Sequence, residues 1–518
     1  MSNNKFYITT SIAYANAVPH IGFAMEVCQA DVLARYHRML GDDVFFLSGT
    51  DENGSKIKKT ALENKTEPQK FVDENSAKFQ LLLDTLNISN NDFIRTTDQK
   101  RHWPAAQKIW NKLVEAGDIY KSNYEGYYCV GCEAYLTEKD LVDGKCPNHQ
   151  KAPEKIKEEN YFFKLSKYSE IIQEKIESGK LKILPEARKN EILNVIKSGL
   201  KDVSFSRPKN ILDWGVPVPN DDSQTMYVWC DALTNYISAL GYGQKSSRGS
   251  ASTLEAEPLL DFWPADIHII GKDILRFHTA IWPAMLLSAN LPLPKKIFVH
   301  GFITSDGQKI SKSLGNVIDP FEVIDKYGVD ALRYYLLKEI PSGNDGDFSY
   351  QRFEEIYQAD LANGIGNLTA RIITLGIKNQ ESGIKNLNKN SELKTKAENT
   401  WNNYEKSLNN FKLNEALEIA KKLMSTCDEY IEQNKPWQLE EEKKKAAVIY
   451  NLLESLRHIA WMIYPFMPET SMKIFEQLFV DEQERKIKLN KNLKEAQKWG
   501  GLKSETKIKK GEILFPRL

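Results

Sequence analysis

The first fifty residues combine short apolar runs with one long segment of helical periodicity. Lys5 to Thr10 reads as a buried strand, Ile21 to Leu40 repeats apolar residues at helical spacing, and Val44 to Leu47 is a second apolar run. A strand, a helix and a strand in this order predict a βαβ unit, and hence a parallel sheet.

The pattern changes twice further along the chain. After about residue 118 the segments become short and Tyr-rich, and apolar α/β patterning returns near Met226 to Cys230 and Ile267 to Ile270. The middle therefore reads as an insertion into one α/β domain. From Phe353 onward amphipathic helices dominate, among them one predicted from Trp401 to Gln433, and they favour a helical bundle.

Composition narrows the class of protein without naming a partner. The chain has 518 residues, and its 70 Lys plus Arg balance its 70 Asp plus Glu, so no global basicity indicates nucleic acid. The N-terminus lacks the apolar core of a signal peptide, and no later stretch stays apolar long enough to cross a bilayer. We expect a cytoplasmic protein without a membrane partner.

Three of the six cysteines, Cys129, Cys132 and Cys146, lie close together and are joined by His149. They form a Cys-x-x-Cys and a Cys-x-x-His pair, each in a short turn, which is typical of zinc ligands. Four protein ligands fill a tetrahedron, so we expect one structural Zn²⁺ rather than a catalytic ion. A chance clustering of cysteines is the alternative.

Two short motifs carry the candidate chemistry. Pro19-His20-Ile21-Gly22-Phe23 lies where the first strand gives way to the helix, a position suited to an anionic ligand. Lys309-Ile-Ser-Lys-Ser313 follows the turn Ser305-Asp306-Gly307 and precedes a helix that begins at Asp319-Pro320. Singly, the first reads as a structural histidine and the second as a solvated run. Together they predict a triphosphate site.

The pair resembles the HIGH and KMSKS signatures of class I aminoacyl-tRNA synthetases, and four further strings resemble the methionyl enzymes among them. These strings are Ser11 to Asn16, Ser48 to Asn53, Met226 to Tyr236 and His268 to His278. The resemblance implies activation of methionine with ATP and Mg²⁺, followed by transfer to tRNA(Met). It implies His20, Lys309 and Lys312 as catalytic residues, and an ATP site formed by Pro19, His20, Gly22, Phe23, Gly271, Asp273, Lys309, Ser311 and Lys312.

The resemblance also implies a methionine pocket of aromatic and aliphatic groups, which suits a flexible thioether. Its members are Ile12, Tyr14, Asp51, Trp229, Ala232, Leu233, Tyr236, Ile274 and His278, with Asp51 placed to pair with the substrate ammonium. Two positions depart from the family pattern, since Phe23 and Asn53 stand where relatives usually carry histidine. The loss of a phosphate donor at residue 23 predicts a slower enzyme or a substitute group.

At the tRNA end, Asn367 and Arg371 lie four residues apart on one predicted helix face, and Trp437 follows near a helix junction. The resemblance implies that all three read the anticodon, by hydrogen bonds to base edges and by stacking. The chain ends in a segment like the C-terminal return of related enzymes, and we expect a monomer.

The resemblance assigns each part of the predicted fold. The fold class is α/β, with a Rossmann-like parallel-sheet catalytic domain, an inserted zinc-bearing connective domain and an all-α helical-bundle anticodon-binding domain. The expected boundaries are 1–118 and 206–298 for the two catalytic halves, 119–205 for the insertion, 299–352 for the KMSKS loop and stem-contact region, and 353–518 for the bundle.

Three alternatives stay open at this stage. One is a class I synthetase for another amino acid, and a second is a tRNA-binding paralogue without catalysis, which Phe23 and Asn53 make conceivable. The third is a small-molecule nucleotidyltransferase, a group that also uses a His-x-Gly-His turn at a helix start.

Overall fold

A computed structural model describes residues 4–129, 134–136, 138–147, 150–244, 259–310, 316–379, 391–483, 492–503 and 506–518. The elements up to residue 204 are β1 (Lys5–Thr10), β2 (Ala13–Tyr14), α1 (Ile21–Leu40), β3 (Asp43–Asp51), α2 (Ser55–Glu63), α3 (Pro68–Thr85), β4 (Asp92–Arg95), α4 (Trp103–Glu115), β5 (Ile119–Cys129), β6 (Ala134–Leu136), β7 (Glu154–Phe163), α5 (Ser169–Glu177), β8 (Lys182–Leu184), α6 (Glu186–Lys197) and β9 (Val203–Ser204).

The remaining strands and helices are β10 (Ser206–Pro208), β11 (Gln224–Met226), α7 (Val228–Ala232), α8 (Asn235–Ser238), β12 (Ile267–Gly271), α9 (Trp282–Ser288), β13 (Lys296–His300), β14 (Ile303–Ser305), β15 (Gln308–Lys309), α10 (Pro320–Tyr327), α11 (Val329–Lys338), β16 (Gly346–Phe348), α12 (Tyr350–Ile356), α13 (Asn367–Lys378), α14 (Glu392–Asn409), α15 (Leu413–Asn434), α16 (Glu442–Ile463), α17 (Pro468–Leu478) and α18 (Leu493–Ala496). Short π-helical segments at Phe277–Ile281 and Tyr357–Gly366 precede α9 and α13.

The main sheet is parallel, as the βαβ pattern predicts. Its strands run in the order β2-β3-β1-β12-β13-β8, and β4 pairs with β3. Successive side chains point to opposite faces, so Ile8 lies in one hydrophobic core and Tyr7 in the other. Helices cover both faces, which confirms the Rossmann-like class.

The insertion builds a separate antiparallel sheet in the order β6-β5-β7-β9. One short strand of the 119–205 interval behaves differently, because β8 pairs in parallel with β13 at the edge of the main sheet. The interval therefore leaves the parallel sheet, returns to it at Lys182–Leu184 and leaves it again.

The C-terminal part is helical, as expected, but the helix predicted from Trp401 to Gln433 is wrong. The structure has two helices, α14 and α15, which pack against each other around a break at Asn410 to Lys412. Phe411 adopts a left-handed φ of 59° there, and its ring stacks on Phe298 with centroids 5.3 Å apart. A tertiary contact thus overrides the helical pattern.

Arg333 of α11 links the parallel-sheet domain to the bundle. Its fully buried guanidinium donates to Asp31 Oδ2 at 2.7 Å and to the carbonyl oxygens of Leu86, Pro465 and Phe466. These acceptors belong to α1, to the end of α3 and to the α16–α17 turn, so one side chain joins three segments.

Glu454 of α16 fixes the segment that follows α18. Its buried carboxylate accepts from the backbone N–H groups of Gly500, Gly501 and Leu502 at 2.7, 2.8 and 3.1 Å. Arg457 donates to the same carboxylate at 2.6 Å.

Among the described residues, no helix combines the length and apolar character that crossing a bilayer requires.

Candidate active site

The candidate site lies at the carboxyl edge of the main sheet, where β1 has β3 on one side and β12 on the other. In open α/β sheets such a switch point is where ligands bind. His20 is the residue that caps α1 at this edge, and its side-chain Nδ1 accepts a hydrogen bond from the Gly22 N–H at 3.0 Å.

This cap determines how His20 can act. Because Nδ1 accepts from a backbone N–H, the neutral ring carries its proton on Nε2, which is left to donate outward. The His20 side chain is exposed at this edge, yet the protein around it displaces enough water to lower its pKa, although Asp273 and Glu26 act in the opposite direction. A neutral imidazole that donates from Nε2 suits a phosphate oxygen.

The other residues of the first motif have structural reasons for their identity. A Cβ on Gly22 would lie 2.9 Å from His20 Cε1, so glycine leaves room for the capping imidazole. Pro19 is buried. Phe23 is 7% exposed and packs edge-on against Phe79 with centroids 4.9 Å apart, so its ring lies in the hydrophobic core.

A buried polar network behind this edge was missed by the sequence analysis. Glu26 accepts from Ser11 N at 2.8 Å and Ser11 Oγ at 2.6 Å, and its other oxygen lies 2.8 Å from His300 Nε2. Burial works to lower the pKa of His300, but the hydrogen bond and charge of Glu26 raise it overall. The sequence signal that could have identified His300 is its position as a polar residue at the end of the buried strand β13.

Gly271 and Asp273, predicted for ATP, lie at the end of β12 and in the short turn after it. A Cβ on Gly271 would meet Asp273 Oδ1 at 2.7 Å and His300 Cε1 at 3.6 Å. The charge of Asp273 acts against burial at both His20 and His300 by favouring their protonated forms, so the three groups lie near one another.

The second motif is described only in part. The turn before it forms as predicted, with left-handed φ angles of 50° at Asp306 and 73° at Gly307, and the Gly307 N–H donates to Asp347 at 2.8 Å. Lys309 ends β15. The Lys309 side chain and the residues Ser311 and Lys312 lie outside the described part of the chain.

Aromatic rings form one wall of the proposed methionine pocket. Trp229 stacks on Phe277 with centroids 3.7 Å apart and meets His278 edge-on at 6.4 Å. Leu233 and Tyr236 belong to the hydrophobic core on this face, and Ile12, Trp229 and Ile274 pack against it. Tyr14 and Trp229 contact a second small cluster, and Ala232 is buried.

A hydrogen bond connects Tyr236 and His278, and burial keeps both side chains neutral by raising the pKa of Tyr236 and lowering that of His278. His278 Nδ1 lies 3.1 Å from the carbonyl oxygen of Ile274 and must donate to it. The other ring nitrogen, Nε2, therefore accepts a hydrogen bond from Tyr236 Oη at 2.7 Å. Burial lowers the pKa of His278 to about 4. An uncharged dyad of this kind suits a thioether, which carries no charge to pair.

Asp51 is the last residue of β3, and Asn53 follows it by two positions. Asp51 is 5% exposed, and Thr96 Oγ1 lies 3.4 Å from its Oδ1. The Asn53 amide donates to Asp231 Oδ2 at 2.6 Å and to the Thr96 carbonyl at 3.3 Å. The side-chain NH2 group of the residue that replaces the expected histidine therefore makes two hydrogen bonds inside the fold.

The predicted metal site is described at two of its four residues. Cys129 ends β5 and Cys146 follows the hairpin formed by Val142 and Lys145, and the two are 4% and 1% exposed. Cys132 and His149 lie outside the described residues, and within those residues no group of three metal-binding side chains assembles. Two buried thiols at turns fit a soft metal such as Zn²⁺.

The three predicted anticodon residues share one region of the bundle. Asn367 and Arg371 both lie on α13, and Asn367 is exposed. Arg371 is held by Asp428 and Glu432 of α15 at 2.8 and 2.7 Å. Trp437 is 54% exposed in the short 3₁₀ turn between α15 and α16, so its ring is open to a stacking partner.

Family models match most of the chain. The model described as class I tRNA synthetases (M) matches residues 6–155 and 148–373. The model described as the anticodon-binding domain of tRNA ligase matches residues 390–514.

Curated relatives and solved structures agree with these models. A protein named methionine–tRNA ligase from Caldanaerobacter subterraneus subsp. tengcongensis is 44% identical, and the match covers 99% of this chain and 79% of that protein. Another of the same name from Rickettsia felis is 42% identical, with 99% and 98% covered. The structure resembles Mycobacterium tuberculosis methionyl-tRNA synthetase in complex with methionyl-adenylate, with a TM-score of 0.91 and 35% identity over 99% of this chain and 100% of that one.

Proposed function

Because this chain belongs to the class I tRNA synthetases, in the methionine–tRNA ligase group, we infer that it activates L-methionine with ATP and transfers it to tRNA(Met). Within the site, the cap of α1 is the main support for this function. Because His20 Nδ1 accepts from Gly22, Nε2 is left to donate a hydrogen bond at the switch point of the sheet.

Methionine-dependent exchange of pyrophosphate into ATP tests the first step directly. We expect exchange with methionine to exceed that with each of the other nineteen amino acids, and we expect aminoacylation of tRNA(Met) by the same preparation. Faster exchange with another amino acid would overturn the specificity, and tRNA binding without exchange would indicate a non-catalytic paralogue.

In the first step a carboxylate oxygen of methionine attacks the α-phosphorus of ATP, and the bond to the departing pyrophosphate breaks. Negative charge grows on the phosphoryl oxygens, where a donor already held in place is worth most. We propose that His20 supplies such a donor, with Gly22, Gly271 and Asp273 shaping the nucleotide site. Mg²⁺ accompanies the ATP, and Lys309, Ser311 and Lys312 are proposed to close over the triphosphate.

In the second step a terminal ribose hydroxyl of the tRNA attacks the carbonyl carbon of the adenylate, and AMP leaves. We propose that Asp51 pairs with the methionine ammonium in both steps. The side chain would lie among Ile12, Tyr14, Trp229, Ala232, Leu233, Tyr236, Ile274 and His278, whose apolar and neutral surfaces favour a thioether over a charged side chain.

Trp437→Ala is expected to raise the KM for tRNA(Met) in aminoacylation about tenfold or more, because stacking on a ring is worth about 1–3 kcal/mol per base. Pyrophosphate exchange, which needs no tRNA, should stay at the wild-type rate. Leu81→Ala removes an apolar side chain of similar exposure, 55%, from α3 of the parallel-sheet domain and serves as the control. An unchanged KM for Trp437→Ala would exclude the proposed stacking.

Cys146→Ala is expected to abolish the binding of one Zn²⁺ per chain, measured as metal content after gel filtration, and to lower the melting temperature of the insertion. The donor set proposed for this ion is Cys129, Cys132, Cys146 and His149, and a structural zinc contributes folding free energy directly. Cys427→Ala removes an equally buried thiol from the bundle and should keep full zinc content. Equal zinc in both variants would contradict the site.

The finer organisation is also part of this proposal. We propose the domain boundaries 1–118, 119–205, 206–298, 299–352 and 353–518, with β8 as a return to the main sheet inside the second interval. We further propose a cytoplasmic monomer, whose mass in solution can be measured by light scattering.

A further inference from the structure

One buried hydrogen bond joins two walls of the proposed methionine pocket. Asn53 Nδ2 donates to Asp231 Oδ2 at 2.6 Å across a sequence separation of 178 residues. The two residues are 2% and 0% exposed. The hydrogen bond is therefore shielded from water, and in the protein interior a hydrogen bond is stronger than in water.

At one end of this hydrogen bond, Asn53 contacts Asp51 and Thr96. Its backbone N–H points at Asp51 Oδ1 from 3.5 Å, and its side-chain amide also reaches the Thr96 carbonyl at 3.3 Å. Thr96 is also linked to the segment that carries Asp51, because its hydroxyl accepts a hydrogen bond from the Glu52 N–H at 2.8 Å. Through its own N–H and through Thr96, Asn53 is thus connected to the Asp51 carboxylate.

On its second side, Asp231 belongs to α7, a helix of five residues that also carries Trp229 and Ala232. A helix this short has little stability of its own, so contacts from outside decide where it lies. The Asp231 carbonyl accepts from Thr234 N at 2.9 Å, which extends the same restraint to the start of α8.

The Asp231 carboxyl group accepts a side-chain hydrogen bond from Asn53 through its Oδ2 atom. Its second oxygen, Oδ1, has no hydrogen-bond partner among the described residues. Burial raises the pKa of Asp231 to about 8, and the hydrogen bond from Asn53 opposes that rise. Because asparagine carries no charge, the contact supplies geometry and is not an ion pair.

We propose that Asn53 and Asp231 are positioning residues for methionine: their hydrogen bond sets the distance between Asp51, which meets the ammonium, and Trp229, which meets the side chain. The proposal rests on the proposed function. It assigns to Asn53, where the family resemblance leads one to expect histidine, a role in amino-acid binding and none in the handling of phosphate.

Steady-state pyrophosphate exchange with Asn53→Leu tests it, because leucine keeps the volume and removes the donor. We expect the KM for methionine to rise about tenfold, with the KM for ATP and kcat within threefold of wild type. Asp231→Asn, whose amide can still pair with Asn53, should stay within threefold in all three. Asn451→Leu replaces a comparably buried asparagine of the bundle and controls for the burial of leucine.

The double variant Asn53→Leu/Asp231→Leu covers the case in which Asn53→Leu alone does not fold, because it leaves no carboxyl group without a donor. It should fold and show the same tenfold rise. An unchanged KM for methionine in a folded variant, or equal rises for methionine and ATP, would overturn the proposal. Absence of methionine-dependent exchange in the wild-type protein would instead refute the proposed function.

Discussion

Replacing His20 by alanine is expected to lower the kcat of methionine-dependent pyrophosphate exchange about 10²–10³-fold, the usual cost of removing one preorganised donor from a transition state. The reason is the tautomer fixed by Gly22, which leaves Nε2 as the donor. The KM for methionine should change little, since His20 is proposed to contact the phosphates and not the amino acid.

His20 also caps α1, so a control must separate capping from catalysis. Asparagine is a favoured N-cap residue, and His20→Asn should therefore keep the helix start and thermal stability while remaining as slow as the alanine variant. His37→Ala alters a histidine in the last turn of the same helix and should keep its rate. Wild-type turnover by His20→Asn would show that the residue only caps.

Arg333→Leu is expected to destabilise the protein by about 3–5 kcal/mol in urea unfolding, because it leaves Asp31 buried with one arginine partner fewer. It also removes the donor from three buried carbonyl groups. Since those groups belong to different segments, unfolding of the bundle and of the parallel-sheet domain should separate into two transitions.

The matched control for this prediction is Arg352→Leu. Arg352 pairs with Glu339 and Glu355 on the surface, with a side chain that is 51% exposed, so its loss should cost only about 0–1 kcal/mol. If both variants lose the same stability, the Arg333 contacts do not hold the domains together.

Much of the fold could be predicted because local pattern and tertiary environment agree. The first strand and helix have the predicted bounds, Lys5–Thr10 and Ile21–Leu40, since the strand is buried on both faces and the helix ends at a left-handed glycine, Gly41. The strand Lys182–Leu184 could not be found this way. Its three residues become a strand only because β13 offers an unpaired edge.

Candidate residues carried by motifs were found, whereas those set by long-range contacts were not. His20 is recognisable because the motif places it at a helix start. Glu26 and His300 are 274 residues apart and no local signal joins them, and the same is true of Asn53 and Asp231. The two departures from the family pattern are likewise explained by long-range contacts, because the Phe23 ring lies in the core and Asn53 makes a buried hydrogen bond.

The carboxylate of Glu454 bears on how the protein is made. Its three backbone partners lie 46 to 48 residues further along the chain. During synthesis, therefore, α16 emerges from the ribosome before the amides that its glutamate needs exist, and a buried charge without those donors is costly. The final closure of the bundle must wait until Leu502 has been translated.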